Sequence, residues 1–306
     1  MNHSTQKILP HLWFDDQAEE AAEFYTSLFE NSNIGRTTRY GKAGFETHGQ
    51  PEGKVMTVEF ELGGYQFIAL NAGPHFSFTP AISFFVVCET EKEVDSLWTS
   101  FLNGGEVLMQ LDNYDWSEKY GWVKDRYGLT WQLSLGNLED VHGQKITPSL
   151  MYVGETGQAE EAINLYTSLF NDSKITGILH YGEGEDQPEG SVMHAQFRLN
   201  GGEVFMAMDS SPEHASFTFN EAISLMIQCE SQQEIDHFWN RFTTGGGEES
   251  MCGWLKDKFG VSWQVVPVVL NEMLQDPDKE KVARVTNAFL QMKKFDIQKL
   301  RKAYDG

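Results

Sequence analysis

The 306-residue chain has only three cysteines, Cys88, Cys229 and Cys252. An odd count without paired metal spacing argues against a disulfide framework and for a reduced, intracellular setting. No apolar run approaches about 18 residues, so no segment is expected to span a membrane. The opening stretch, MNHSTQKILPHLWF, has no apolar signal-peptide core and runs directly into a strand pattern, which makes the cytoplasm the expected location. Basic residues are scarce, with 23 Lys and Arg against 45 Asp and Glu and a net charge of −22. Such a surface repels nucleic-acid phosphates and anionic lipid, and no basic stripe offsets it. The sequence also has no strand–GxGxG–helix unit followed by an acidic residue, as a nucleoside cofactor would need. Its Ser, Cys and His residues are scattered, without a nucleophile elbow.

What is present is a duplication. AEEAAEFYTSLF at residues 18–29 returns as AEEAINLYTSLF at 159–170, and GWVKDRYGLTWQ at 121–132 returns as GWLKDKFGVSWQ at 253–264. QPEG, SFT and AIS recur in the same order between them. A unit of about 135 residues is therefore written twice. The expected domains are 1–137 and 146–270, joined by the hydrophilic stretch 136–145 and followed by a tail at 271–306. Cys88 and Cys229 fall on equivalent apolar strands and are expected to be buried thiols.

Each copy reads as strand, helix and three strands, repeated once. In the first, strands are expected over 9–14, 34–40, 55–62 and 65–71, with Asp15 and Asp16 as candidate caps for the helix at 18–29. A strand at 81–88, a helix at 90–102 and strands at 107–110, 121–124 and 130–135 follow. Residues 41–53 read as a loop and 112–119 as a polar, aromatic excursion. The second copy shortens 106–120 to 248–252. Val282, Val285, Ala288, Phe289 and Met292 form an apolar stripe in the tail, and Ile297, Leu300 and Ala303 begin another. These predict two helices clasped against the body.

Strand alternation divides the faces. Met56, Val58 and Phe60 are expected under the helices, with Val55, Thr57 and Glu59 opposite. In the second copy Met193, Ala195 and Phe197 oppose Val192, His194 and Gln196. Trp131 and Trp263 are assigned to the core, leaving Gln132 and Gln264 on the polar face. Trp13 and Met151 share the parity of His11 and Ser149. Tyr114, Trp116, Tyr120 and Trp122 are read as either a pocket wall or the seam between domains, with the seam favoured. Asp125–Gly128 and Asp257–Gly260 are read as structural hairpin turns.

Paired βαβββ modules with a YTSLF-type helix and a GWxKDxxGxxWQ terminus resemble the PhnB-like branch of the vicinal oxygen chelate superfamily. That superfamily includes glyoxalase I, extradiol dioxygenases and bleomycin/fosfomycin resistance proteins. The resemblance covers nearly the whole chain. It implies an α+β fold in which four βαβββ modules form two glyoxalase-like domains with open U-shaped sheets, plus a C-terminal helical tail. Helices pack outside and the concave face forms a pocket.

In metal-dependent relatives that pocket holds one divalent ion. The ligand positions carry over to His11, Glu59, Ser83 and Gln132 in the first domain, and to Ser149, Gln196, Ser224 and Gln264 in the second. Hydroxyl and carboxamide are poor replacements for imidazole and carboxylate on such ions. No cofactor is therefore expected. His11 and Glu59 stay as candidates for a divalent metal or for an acid–base or ligand-orienting pair. The ligand-binding candidates are Trp13, Thr57, Gln132, Met151, His194, Gln196 and Gln264, with His48 in a loop near the pocket mouth. Members of this branch are often labelled 3-demethylubiquinone-9 3-methyltransferase, a chemistry that nothing in the sequence supports.

The resemblance and the thinned ligand sets together predict a protein that binds a small organic molecule without a catalytic metal. The alternatives are a metal-dependent isomerase, lyase or dioxygenase acting at the first domain, and a tandem interaction module. The expected partner is a small molecule, with no nucleic acid and no membrane. The two copies are expected to pair as an internal pseudo-dimer in a monomer or loose homodimer.

Overall fold

The computed structural model describes residues 6–154, 158–185, 187–214 and 216–306. The first module comprises β1 (Ile8–Phe14), α1 (Ala18–Leu28), β2 (Asn33–Arg39), the short α2 (Phe45–His48), β3 (Val55–Leu62) and β4 (Tyr65–Asn71). The second comprises β5 (Ile82–Cys88), α3 (Glu91–Leu102), β6 (Glu106–Tyr114), β7 (Ser117–Lys124) and β8 (Thr130–Leu135). The second copy supplies β9 (Ile146–Val153), α4 (Gln158–Leu169), β10 (Lys174–His180), β11 (Val192–Leu199) and β12 (Glu203–Ser210). Its last module has β13 (Ile223–Cys229), α5 (Gln232–Thr243), β14 (Glu248–Glu249), β15 (Trp254–Lys256) and β16 (Ser262–Pro267). The tail forms three helices rather than two, α6 (Val268–Met273), α7 (Lys279–Phe289) and α8 (Ile297–Asp305).

The α+β architecture and its four modules are as the repeats imply. Three further local expectations fail. Residues 41–53, read as a loop, hold the one-turn α2. Neither Asp15 nor Asp16 caps α1; its first amide, on Ala18, donates to Asn71 Oδ1 of β4 at 2.8 Å, and Asp209 does the same for Ala159 at 2.9 Å. Capping from a neighbouring strand ties each helix to its own sheet. The excursion at 112–119 is part of a β6–β7 hairpin.

The modules combine into two eight-stranded open sheets, in the orders β14-β15-β16-β13-β1-β4-β3-β2 and β10-β11-β12-β9-β5-β8-β7-β6. We call these sheets A and B. Each joins a module of one copy to a module of the other through a central antiparallel pair, β1 with β13 and β5 with β9. The copies thus form an internal pseudo-dimer by sharing both sheets.

The cores follow the copies instead. Phe60 and Phe67 of sheet A meet Phe84 and Trp131 of sheet B, with α1 and α3 packed around them. The second core repeats this with Phe197, Phe205, Trp263, α4 and α5, and takes in Val285, Phe295 and Leu300 of the tail. Each core is stapled by one carboxylate. Asp125 accepts from Tyr25 OH (2.7 Å), Trp131 Nε1 (2.9 Å) and the Tyr127 and Leu129 amides (2.8 and 3.1 Å). Asp257 holds Tyr166, Trp263, Phe259 and Val261 in the same way. The two KD turns are structural, because their aspartates join the first helix of a copy to its last hairpin.

After the last strand of each copy, a short helical turn folds back. Val141, with Leu138 beside it, packs on Val87 and Met206 in the concavity of sheet B. Leu270 and Met273 stand at the same spacing after Gln264 as Leu138 and Val141 do after Gln132, and they are buried in the second core.

Candidate binding site

The side chains facing away from the helices form the inner face of each sheet, here called its hollow. In sheet A, Lys256 pairs with Ser262, Ser224 with His11, His11 with Ile68 and Ile68 with Glu59, along one transverse line. Trp13, one parity step along β1, and Trp254 on β15 stand beside it. The Trp254 ring lies 5.9 Å from the His11 ring and 6.1 Å from that of Trp13, whose Nε1 donates to Gly73 O at 2.8 Å. Gln264 Nε2 donates to Ser224 Oγ at 2.9 Å, a bond that sets the floor of the hollow. Toward the opposite rim, Glu59 is ion-paired with Arg36 and the Thr57 hydroxyl meets that of Thr38.

His11 is 6% exposed, and its buried Nδ1 has no hydrogen-bond partner among the described residues. Burial lowers its pKa from 6.5 to about 4, because the charged ring would lose its hydration. The imidazole is uncharged at neutral pH, with one nitrogen to give or accept a hydrogen bond according to tautomer.

Sheet B has the same plan with different chemistry. Ser149 and Met151 replace His11 and Trp13, Gln196 replaces Glu59, and Gly177 replaces Arg36. Ser83 pairs with Ser149 across the central strands, and Gln132 Nε2 donates to Ser83 Oγ at 2.7 Å. Tyr120 OH donates to Gln132 Oε1 at 2.7 Å, so Tyr120 faces the hollow and not a domain seam. Trp122 shares its parity on β7, while Tyr114 and Trp116 stack together at the hairpin tip with Trp116 65% exposed. Gln196 Nε2 donates to Asp140 O at 3.0 Å, which ties the turn 138–141 over this hollow. His194 is half-buried on the same face, and burial lowers its pKa.

The topology regroups the ligand positions carried over from metal-dependent relatives. His11 and Glu59 do not share a hollow with Ser83 and Gln132; they share one with Ser224 and Gln264, while Ser83 and Gln132 join Ser149 and Gln196. Neither set fits a divalent ion. The set in sheet B offers only hydroxyls and carboxamides. In sheet A, Glu59 is engaged by Arg36 and stands two strands from His11, roughly 10 Å between strand axes. Among the described residues no three His, Cys, Asp or Glu side chains gather into a metal-holding group.

Seven buried side-chain nitrogen or oxygen atoms have no hydrogen-bond partner among the described residues. Six belong to residues whose parity faces the hollows, namely His11, Arg36 and Ser262 in sheet A and Trp122, Thr130 and Arg198 in sheet B. A surface cleft of about 640 Å³ between residues 74–78 and the 124–128 turn is lined by none of the seven. Unpaired buried polar atoms cost about 1–3 kcal/mol each and call for a ligand or water, which favours the hollows over the cleft. Arg36 and Trp254 are candidates that the sequence analysis does not single out. The GW repeat signalled Trp254, since its first-copy counterpart Trp122 takes the same place beside Gln132.

The family model described as 3-demethylubiquinone-9 3-methyltransferase matches residues 6–134 and again 144–266. An uncharacterised protein of Mycobacterium bovis is 27% identical over 134 residues, covering 41% of this chain and 80% of its own. A solved Bacillus cereus structure, described as a putative 3-demethylubiquinone-9 3-methyltransferase, PhnB protein, is 41% identical over 43% of this chain and 100% of its own, with a TM-score of 0.39. Glyoxalase I from Zea mays is 11% identical and covers 88% of this chain and 95% of its own with a TM-score of 0.56, a likeness of fold alone. With both copies matched in tandem, the chain belongs to the 3-demethylubiquinone-9 3-methyltransferase family of PhnB-like proteins.

Proposed function

We propose that the sheet A hollow binds a small, planar organic molecule without a metal ion, in a cytoplasmic protein that is a monomer or loose homodimer. The observation that carries this reading is the concentration of unpaired buried polar atoms on the hollow faces. In sheet A a neutral imidazole presents an unpaired nitrogen beside two indoles, and Ser262 an unpaired hydroxyl on the same face. Such a setting suits an apolar ring with a carbonyl or hydroxyl at its edge, since a pocket of this kind orients its ligand by a few polar contacts. His11 and Gln264 act as hydrogen-bonding floor, Trp13 and Trp254 as walls, and Thr57 and Glu59 as rim. Gln132, Met151, His194 and Gln196 hold the equivalent places in sheet B. The methyl transfer in the family description finds no support in either hollow, because neither sheet carries a glycine-rich strand–turn–helix for a nucleoside.

A thermal-shift screen of planar aromatic acids, amides and quinones against wild type and Ser224→Leu tests this. Hits are expected to raise the wild-type midpoint by several degrees, as binding at about 100 times Kd adds about 2.7 kcal/mol. The shift should vanish in the variant, whose larger side chain fills the floor, and should survive EDTA. Hits acting equally on both proteins, or lost on chelation, would show that the reading is wrong.

A further inference from the structure

The tail reaches both rims of sheet A. At one rim the Cys252 and Gly253 amides donate to Met292 O and Lys293 O at 2.7 and 2.8 Å. At the other, Leu290 lies on the loop between β2 and β3. A Cβ added to Gly44, whose φ is +85°, would stand 2.6 Å from Leu290 Cδ1 and 3.1 Å from His48 Cδ2. From there contacts run back to the site. The Gln50 amide donates to His48 Nδ1 at 3.0 Å, the Gln50 side chain stands over Gly73, and Gly73 O accepts from Trp13. Trp13 meets Trp254, which adjoins Gly253. The contacts close a ring at the Trp13 end of the hollow.

We propose that residues 289–293 are a strap that controls entry to the His11 site, hinged on the Cys252 and Gly253 amides and latched by Leu290. This rests on the reading of sheet A as a binding hollow. The hinge side is held by two backbone hydrogen bonds and by Phe295 packed under Gly253. The latch side is van der Waals contact of a half-buried leucine with a glycine-rich loop, and such a contact opens at far lower cost than a core. Asn271–Gly306 occurs once in the chain, so sheet B has no corresponding strap.

Accessibility of His11 can be read directly by its modification with diethylpyrocarbonate, which attacks the uncharged imidazole. His48→Cys and Leu290→Cys, in the full chain with Cys252→Ser, would be bridged by dibromobimane. Bridging is expected to slow modification of His11, followed by peptide mass spectrometry, at least about ten-fold relative to the unbridged protein. Leu290→Ala should speed it roughly five-fold, as losing a half-buried aliphatic contact implies. Equal rates in all these forms would overturn the strap while leaving the hollow intact. A His11 that stays unreactive even in Leu290→Ala would overturn both the strap and the site it guards.

Discussion

Asp257→Ala is expected to destabilise the protein by about 3–5 kcal/mol, the range for breaking a buried hydrogen-bond network. Asp257 is 3% exposed and accepts from two side chains and two amides, all stranded by the substitution. Burial raises its carboxyl above the ordinary value, against Tyr166, Trp263 and the two amides, which pull it down. The network also joins α4 to the β15–β16 turn, so its loss loosens two modules at once. Asp125→Ala should behave alike. Tyr166→Phe should cost more than Tyr25→Phe, because Tyr166 OH also meets Tyr152 OH at 3.1 Å while the first copy has Phe14 at that place. Urea denaturation followed by tryptophan fluorescence measures all four. A loss below about 1 kcal/mol for Asp257→Ala would mean that water replaces the carboxylate without penalty.

His11→Gln is expected to flatten part of the acid limb of the stability curve. The folded pKa of His11 is about 4 against 6.5 in the unfolded chain, so the unfolded state takes up the proton first. The contribution of the neutral ring is complete above pH 6.5 and declines as pH falls toward 4. Between about pH 7.5 and pH 5.2 the loss comes to about 2 kcal/mol. Glu203 opposes it. This carboxyl accepts from the Lys7 and Ile8 amides, yet burial raises its pKa from 4.5 to about 7, so its contribution grows as pH falls through the same window. The quantity to measure is therefore the difference between wild type and His11→Gln at the two pH values. A difference that does not change with pH would mean that His11 takes up its proton equally in both states.

Much of the fold was legible because alternation and helical period report which face of an element is buried. That is why Val58, Phe60, Trp131 and Trp263 were placed correctly in the cores and Glu59, Gln132 and Gln264 away from them. The starts of β3 and β11 are exceptions: Val55 and Val192, expected on the opposite face, lie in the cores, while Met56 and Met193 are half-exposed outside them, where each strand pairs irregularly with its neighbour. Periodicity does not say which strand lies beside which. The pairing of β1 with β13 leaves the same apolar pattern as a pairing of β1 with β5 would, so the site residues were sorted by copy when the sheets sort them across copies. The turn at 138–141 was hidden for a different reason. Two apolar residues in a hydrophilic joint give no period, and only their repeated spacing after Gln132 and Gln264 could have linked them to Leu270 and Met273. Tyr120 lay in a stretch without a second-copy counterpart, so repetition could not place it.

The shared sheets also bear on what joining the copies in one chain permits. A lone copy would leave β1 and β5 each with a bare long edge and would hold two incomplete concavities. Two identical copies associating by symmetry could complete them only as matching twins. A covalently joined pair is released from that constraint, and this chain shows the result: one cup keeps an imidazole, an indole and an arginine–glutamate pair, while the other has serine, a thioether and glycine with glutamine in their places.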